Sequence, residues 1–369
     1  MTPVERSDAL HARVRALAAA KEALSPEEFD ALASDIARFQ FETIPAFRRL
    51  VLARGGERLL ARADDVPAVP VEAFRLSRVA AHPASADEVR FETSGTTGAA
   101  RGIHPMRTTA TYRALALAWG RRALLAGPGP VTVAALAPDP GANPTSSLGF
   151  MMRAFLETFD VASSREGAST RFLASPDGVD VAGLLRVVAA AEERRTPLLL
   201  LSTSFALVLL LDELGGARLP LPEGSVVMQT GGFKGKTREV KRADLDVALA
   251  RAFGVSRASI VAEYGMTELS SQLYEGTVPG AELAAAPGIL VPPPWLRVTP
   301  VDPETLAPVE EGLARFVDLG NVDSAVAVVT RDVVRRRGPG IELLGRSKDA
   351  EPRGCSLSIE AMVLARSAP

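Results

Sequence analysis

Length, composition and charge already exclude several classes of protein. The sequence has 369 residues, enough for one large α/β unit with a smaller addition or for two or three domains. Lys plus Arg total 42 and Asp plus Glu total 44, a net charge of −2, so nothing global favours nucleic acid or an anionic membrane as partner. One cysteine excludes an internal disulfide, and with three histidines it leaves too few ligands for a Cys/His metal site.

The N-terminal region is predicted to be helical. Apolar residues recur at helical spacing in residues 10–17 and again in residues 29–39. Ser25-Pro26-Glu27-Glu28 precedes the second run and predicts a capped start with a capping box. Residues 1–25 contain no continuous apolar stretch, so we expect neither a signal peptide nor a stable membrane anchor. The single cysteine fits a cytoplasmic location best.

From about residue 89 to residue 265, apolar strands alternate with helices. Strands are predicted at Val89 to Phe91, Val131 to Leu136, Leu198 to Leu201, Val226 to Met228 and Ile260 to Val261, with helices at Thr109 to Leu125 and Thr237 to Phe253. Such alternation indicates an α/β fold with mainly parallel sheets covered by helices. Ligands of these sheets gather at the carboxyl ends of the strands.

After Pro292-Pro293-Pro294 the segments become short and β-like, which predicts a small β-rich subdomain. The expected organisation is therefore a helical region over 1–88, an α/β core over 89–290, the β-rich part over 291–343 and a C-terminal tail over 344–369. The apolar residues of Leu198 to Leu211 and Leu148 to Met152 can line a slot for an acyl chain, but most of them are better explained as plain core.

A loop rich in hydroxyls and glycines is the first candidate for a phosphate site. It consists of Thr93, Ser94, Gly95, Thr96, Thr97 and Gly98. We expect it to follow a strand and precede a helix, with hydroxyls and N–H groups around phosphate oxygens. Residue types alone leave an ordinary polar turn as an equal alternative.

A second loop, Gly231-Gly232-Phe233-Lys234-Gly235-Lys236-Thr237, ends as a Walker loop does. It is one residue too short, because that motif needs a glycine where Thr230 stands. We therefore do not interpret it as a P-loop.

A further polar motif, Glu263-Tyr264-Gly265-Met266-Thr267-Glu268, also follows an apolar strand. Its ring can stack on a base, its hydroxyl can bind a phosphate and its carboxylate can hold Mg²⁺. Together with the hydroxyl and glycine loop, this motif resembles the adenylate-forming superfamily of acyl-CoA synthetases, peptide-synthetase adenylation domains and luciferases.

Three more matches follow in the superfamily's order: Gly231-Gly232 on the adenine side, Thr330-Arg331-Asp332, and Leu344-Gly345-Arg346-Ser347-Lys348-Asp349 as the hinge. The resemblance implies ATP and Mg²⁺ as cofactors. It places Thr93 to Gly98 on the phosphates, Gly231, Gly232, Tyr264 and Gly265 around adenine, and Asp332 and Arg346 on ribose. It also assigns Thr267 to the adenylate phosphate and Glu268 to Mg²⁺.

Within the superfamily, nearly the whole chain is similar to the acyl-protein synthetases of the bacterial bioluminescence reductase complex. The signs are Gly231 to Lys236, Tyr264 to Gln272, and Arg353-Gly354-Cys355-Ser356. The resemblance implies a fatty acid substrate and a partner acyl acceptor or reductase. It also implies the adenylate-forming large domain with a truncated tail in place of the usual lid.

The sequence departs from the general superfamily in two places, and each departure concerns a lysine of the superfamily's site. Ala99-Ala100-Arg101 replaces x-Pro-Lys after the hydroxyl loop, so a planar guanidinium stands where an ammonium is usual. Only 20 residues follow Asp349. We therefore expect no lid and no counterpart of its catalytic lysine, a truncation typical of the acyl-protein synthetases.

Cys355 decides the predicted second step. Lys348 and Arg353 can favour its thiolate, which would attack the acyl adenylate to form a thioester. A lone cysteine is more often an inert buried residue, and the family resemblance is what favours the acyl-carrier role. Two other functions stay open: a truncated acyl- or aryl-CoA ligase that transfers to coenzyme A, and a non-catalytic scaffold that binds nucleotide.

Overall fold

The computed structural model describes residues 1–20, 23–93, 100–161, 168–175, 178–231, 240–347 and 353–363. Several predicted residues lie outside these ranges: Ser94, Gly95, Thr96, Thr97, Gly98, Gly232, Lys348 and Asp349. None of the helices in the described ranges is long and apolar enough to cross a membrane.

Within the described ranges the chain forms the following helices and strands, given in chain order. The helices are α1 (Pro3–Ala19), α2 (Pro26–Thr43), α3 (Pro45–Arg54), α4 (Ala73–Leu76), α5 (Ala110–Leu124), α6 (Ser147–Phe159), α7 (Val181–Arg194), α8 (Ser204–Leu214), α9 (Arg242–Phe253) and α10 (Arg353–Val363). The strands are β1 (Val69–Pro70), β2 (Val89–Glu92), β3 (Ile103–Met106), β4 (Thr132–Leu136), β5 (Ala174–Ser175), β6 (Gly178–Val179), β7 (Leu198–Thr203), β8 (Val226–Thr230), β9 (Ile260–Tyr264), β10 (Leu273–Glu275), β11 (Ile289–Val291), β12 (Leu296–Val301), β13 (Glu311–Asp318), β14 (Ala327–Arg337) and β15 (Gly340–Arg346).

These elements form two compact units. The first comprises Met1–Ala116, Met266–Gln272 and Pro292–Pro369, and the second comprises Leu117–Gly265 and Leu273–Val291. The boundary at residue 265 divides the predicted motif, so Glu263 to Gly265 belong to the second unit and Met266 to Glu268 to the first. The four-part division drawn from the sequence stays a prediction.

The second unit contains a mixed sheet in the order β11-β10-β9-β8-β7-β4. Its strands β4, β7, β8 and β9 are parallel, as the alternation of strands and helices predicted. The mainly parallel expectation needs a correction, because β10 and β11 run antiparallel to their neighbours. Only residues 265–272 separate β9 from β10. That connection is too short for a parallel crossover, which needs a dozen or more residues.

The core of the second unit lies between this sheet and helices α7, α8 and α9. Leu184, Leu207 and Leu249 from the helices pack with Leu200 and Ile260 from the strands, and all five are buried. The apolar stretch that begins at Leu198 forms β7, where a strand was predicted, and then α8. Burial of each such side chain contributes roughly 1.5–3 kcal/mol to the free energy of folding. The packing therefore stabilises β7, β8 and β9, whose carboxyl ends lie along one edge of the sheet.

The first unit contains an antiparallel sheet of β12, β13, β14 and β15, with β1 added parallel to β14. Helices α1 and α2 both begin with a complete capping box, and Ser25, Pro26 and Glu28 act as the sequence predicted. On α2, the buried Gln40 donates to the carbonyls of Asn321 and Val322 at 2.7 and 3.0 Å and accepts from the N–H of Val326 at 3.0 Å. This side chain therefore holds the segment that follows β13.

Candidate adenylation site

The neck of the hydroxyl and glycine loop is formed by Thr93 and Gly102. The N–H of Thr93 donates to the carbonyl of Gly102, and the N–H of Gly102 donates to the Thr93 hydroxyl, both at 2.9 Å. The expectation that a helix follows this loop is wrong. The loop joins two antiparallel strands, β2 and β3, because residues 103–106 pair with residues 89–92, and the next helix begins only at Ala110.

Close approach at this neck favours a residue without a side chain at position 102, which is Gly102. A Cβ there would lie 3.1 Å from the methyl carbon of Thr93, tighter than ordinary van der Waals contact. Arg101, which stands in place of the usual lysine, forms an ion pair with Glu92 at 2.9 Å and is more than half exposed. The guanidinium is therefore held beside the loop by the last residue of β2.

The turn Met266 to Leu269 contacts the strands β2 and β3 beside this neck, within the first unit. The hydroxyl of Thr267 lies 3.5 Å from the carbonyl oxygen of Glu92, and the Nδ1 atom of His104 lies 2.7 Å from the carbonyl oxygen of Thr267. The imidazole of His104 is buried, packs edge-on against Phe74, and burial lowers its pKa to about 4. A neutral histidine from β3 thus links the hairpin to the turn.

Glu268 is buried directly after Thr267. Burial raises the pKa of its carboxyl group to about 7, while the guanidinium groups of Arg75 and Arg346 act in the opposite direction. The backbone N–H of Glu268 donates to its own carboxylate. Asn321 fixes the main chain here by donating to the carbonyl of Glu268 at 2.8 Å. The carboxylate is therefore held in a low-dielectric position where a cation would favour its charged form.

Asp332 and Arg346 are cross-strand partners. They stand opposite each other in the ladder between β14 and β15, where Asp332 is partly exposed and Arg346 is exposed. Cross-strand neighbours on one face have their Cβ atoms about 5 Å apart. Because Arg346 also acts on the charge of Glu268, the structure brings Glu268, Arg346 and Asp332 into one region of the first unit.

The residues of this region suit Mg²⁺ better than a metal such as zinc. Among the described residues, no three His, Cys, Asp or Glu side chains form a cluster that could hold a metal by themselves. Mg²⁺ is usually held by one or two carboxylates together with phosphate oxygens and water. A single buried carboxylate with a raised pKa fits that kind of site, and Glu268 is the residue that would hold the ion.

The second unit carries the other predicted residues at the carboxyl ends of β8 and β9. Gly231 follows β8 with a φ of 71°, a conformation that favours glycine, and its carbonyl accepts from the Ser204 hydroxyl at 3.0 Å. Tyr264 ends β9 half-buried, and Gly265 after it is exposed. These residues therefore lie where ligands of a parallel sheet collect.

Glu263 is a buried acid that the sequence analysis did not single out. It accepts a hydrogen bond from the Thr230 hydroxyl, its register partner on β8, and burial raises its pKa to about 7. Its folded pKa therefore exceeds the unfolded value of about 4.5. The stabilising contribution of the neutral acid is complete below pH 4.5 and is lost as the pH rises through about 7.

We expect Glu263→Gln to remove this pH dependence. Glutamine keeps a polar group beside Thr230 but does not ionise, so the variant should gain up to about 3 kcal/mol relative to wild type between pH 5 and pH 8. Urea unfolding of both proteins at the two pH values measures the difference, which isolates Glu263 from other buried acids. Glu57→Gln at an exposed position is the control. An equal difference at both pH values would contradict the prediction.

Cys355 lies on α10 and is 1% exposed. Arg54 of α3 donates to the carbonyl of Gly354 at 2.9 Å and to the Ser358 hydroxyl at 2.7 Å, and Arg49 donates to the carbonyl of Met362 at 2.9 Å. The helix is thus bound at both ends to α3. In this arrangement the thiol is inaccessible, and its acyl-carrier role stays a prediction.

A comparison with protein families shows to which family the chain belongs. Residues 54–363 match the model described as "Acyl-protein synthetase, LuxE". The chain belongs to this family. Membership in the acyl-protein synthetase family confirms the resemblance drawn from the motifs. No curated protein matches the sequence.

Two solved structures are similar to part of this acyl-protein synthetase family member. ATP-bound MatB from Rhodopseudomonas palustris is 16% identical, with a TM-score of 0.47 over 72% of this chain and 49% of that chain. The amide bond synthetase McbA from Marinactinospora thermotolerans is 17% identical, with a TM-score of 0.43 over 71% and 49%. The chain therefore spans about half the length of these enzymes.

Four buried residues in or beside the candidate site of this acyl-protein synthetase family member were not singled out from the sequence: His104, Glu263, Asn321 and Asp318. Asp318 is buried and accepts from the N–H of Ser270 at 2.9 Å and from the Ser271 hydroxyl at 2.7 Å. It thereby holds the chain that follows Glu268. The signal for Glu263 was its place beside Tyr264 in the motif, whereas His104, Asn321 and Asp318 stand in segments without a motif.

Proposed function

We propose that the protein uses ATP and Mg²⁺ to convert a long-chain fatty acid into its acyl adenylate and then transfers the acyl group to a protein thiol. One observation supports this most directly. The Thr267 hydroxyl lies 3.5 Å from the carbonyl oxygen of Glu92, the residue before the hydroxyl and glycine loop, and Glu268 follows Thr267 in the same turn under the charge of Arg346. A hydroxyl, a carboxylate and a cation are the groups that a transferring phosphate needs.

In the first step a carboxylate oxygen of the fatty acid attacks the α-phosphorus of ATP. A new P–O bond forms, the bond between the α- and β-phosphates breaks, and pyrophosphate leaves with its electron pair. Thr93 to Gly98 bind the phosphates, and the Thr267 hydroxyl donates to the adenylate phosphate. These groups act by position and charge, because phosphoryl transfer needs little else from the protein.

The nucleoside is bound by residues of a different character. Tyr264 stacks on adenine beside Gly231, Gly232 and Gly265, whose lack of side chains lets the base approach the backbone. Asp332 accepts from ribose hydroxyls and Arg346 donates nearby. Bound Mg²⁺ would neutralise charge on the phosphate oxygens, and Glu268 would hold it.

In the second step a thiolate sulfur attacks the acyl carbonyl carbon. A C–S bond forms, the bond from that carbon to the phosphate oxygen breaks, and AMP leaves, while the thiol proton passes to solvent. Cys355 is the thiol we assign to this step, and a reductase or another acceptor protein then takes the acyl group. Coenzyme A is the alternative acceptor, and nucleotide binding without turnover is the alternative to catalysis.

AMP release across a panel of carboxylic acids tests the first step. Saturated acids from six to eighteen carbons and benzoate are compared, each with and without coenzyme A. Every buried methylene contributes about 0.8 kcal/mol, so we expect KM to fall with chain length until the slot is filled. A preference for benzoate, or AMP release only with coenzyme A, would support a CoA ligase instead. If none of the acids leads to AMP release, the remaining function is that of a scaffold that binds nucleotide without turnover.

A further inference from the structure

We propose that His104 is a positioning residue for adenylation: it fixes the peptide between Thr267 and Glu268 and thereby places the Thr267 hydroxyl and the Glu268 carboxylate. The inference rests on the proposed function, because it assigns a role within the same site. Its basis is the contact of 2.7 Å between the Nδ1 atom of His104 and the carbonyl oxygen of Thr267.

The direction of this hydrogen bond follows from its partners. A carbonyl oxygen only accepts, so the Nδ1 atom of His104 carries the proton and donates it. The ring is buried and its plane is held by Phe74, whose centroid lies 5.7 Å away. The donor is therefore fixed in direction before any substrate arrives, which is the condition for a preorganised site.

The Thr267–Glu268 peptide carries this constraint to both side chains. The carbonyl of Thr267 and the N–H of Glu268 belong to one planar unit, so they move together. His104 holds the carbonyl end of that plane, and the N–H end donates to the carboxylate of Glu268. A rotation of the peptide would break both contacts, and it would also move the Thr267 hydroxyl, which lies 3.5 Å from the Glu92 carbonyl.

The next peptide along the chain, which begins with the carbonyl of Glu268, is held by a different residue. The comparison shows what His104 contributes that another support of the same turn does not. Asn321 donates to the carbonyl of Glu268 at 2.8 Å and to that of Ala325 at 2.9 Å. It connects the turn to the segment after β13. His104 stands opposite Phe91 in the ladder of β2 and β3, so it connects the turn to the strands that bear the hydroxyl and glycine loop. His104 therefore joins the two predicted phosphate elements, together with the weaker contact of 3.5 Å from the Thr267 hydroxyl to Glu92.

A pair of substitutions separates the donor from the bulk of the ring. Asparagine places an amide N–H near the position of Nδ1, whereas glutamine places it near Nε2. We expect His104→Gln to lower the kcat of ATP–pyrophosphate exchange about tenfold and to raise the Mg²⁺ concentration for half-maximal rate about tenfold. His104→Asn should stay within about threefold of wild type in both quantities. His104→Leu should reproduce the glutamine variant if it folds.

His82→Leu is the matched control. It removes a second buried imidazole, whose Nε2 atom lies 3.0 Å from Asp87, and should lower the melting temperature without moving the Mg²⁺ dependence. Equal Mg²⁺ dependence in the asparagine, glutamine and wild-type proteins would overturn the role of His104 while leaving adenylation intact. A wild-type protein without exchange would instead overturn the proposed function itself.

Discussion

Replacing Glu268 by glutamine is expected to lower ATP–pyrophosphate exchange at least about a hundredfold at saturating Mg²⁺. The amide is neutral and cannot supply the anionic oxygen that Mg²⁺ prefers. Removal of one preorganised electrostatic group from a dry site commonly costs this much or more. Exchange is measured with a long-chain acid over a range of Mg²⁺ concentrations, so that weaker binding of the metal is separated from a slower step.

The same substitution should not destabilise the fold. Burial raises the pKa of Glu268 to about 7, so the neutral acid contributes to stability below its unfolded value of 4.5, and that contribution is lost as the pH rises through 7. Glutamine does not ionise, and at pH 8 the variant should melt at or above the wild-type temperature. Lost activity in a protein of unchanged or higher stability identifies a chemical role.

Glu310→Gln supplies the comparison for that experiment. Glu310 is exposed, and its backbone carbonyl accepts from the N–H of Arg336 at 3.1 Å, which the substitution leaves in place. Its exchange rate and Mg²⁺ dependence should equal those of wild type. An exchange rate for Glu268→Gln that is likewise unchanged would remove Glu268 from the metal role.

The parts of the fold that could be predicted were those with local signals. Apolar runs gave β7, β8 and β9, and the start of α2 followed from a capping box. The hairpin of β2 and β3 was missed because β3 has only four residues and contains Pro105, which weakens a strand signal. The antiparallel turn into β10 was missed because strand direction depends on connection length.

For the candidate site, the motifs marked the residues to which we assign chemistry but not the residues that hold them. His104 and Thr267 are 163 positions apart, and Asn321 and Glu268 are 53 apart. Neither separation leaves a periodic pattern in one sequence. The same holds for Cys355, whose helix is bound by Arg54 across 300 positions. Burial created by such distant contacts follows from the assembled fold, so it was not visible from the neighbours of the cysteine.

Incubation with ATP and myristate is expected to add one tetradecanoyl group to wild-type protein and none to Cys355→Ala. Intact mass spectrometry measures the adduct, and neutral hydroxylamine should remove it, because a thioester is cleaved under these conditions. Alanine fits the buried site without leaving a nucleophile. Cys355→Ala should therefore retain ATP–pyrophosphate exchange, which separates loss of the acyl carrier from loss of adenylation.

Because Cys355 is buried, its acylation would also depend on exposure of the thiol. Cys355 is 1% exposed, so acyl transfer to its thiol would require α10 to leave its place on α3 first. Arg54 opposes that movement through two hydrogen bonds, to Gly354 and Ser358. Hydrogen bonds to a charged group contribute about 1.5–3 kcal/mol, so Arg54→Leu should raise the population of exposed thiol about tenfold or more.

Alkylation of Cys355 by iodoacetamide in the folded protein measures that population. Arg54→Leu should speed both alkylation and acylation, while Arg62→Leu at an exposed position should change neither. Faster alkylation without faster acylation would mean that exposure of the thiol does not limit acyl transfer. Acylation of wild type that persists in Cys355→Ala would place the acyl group on another residue. In that case the buried cysteine is a core residue of α10.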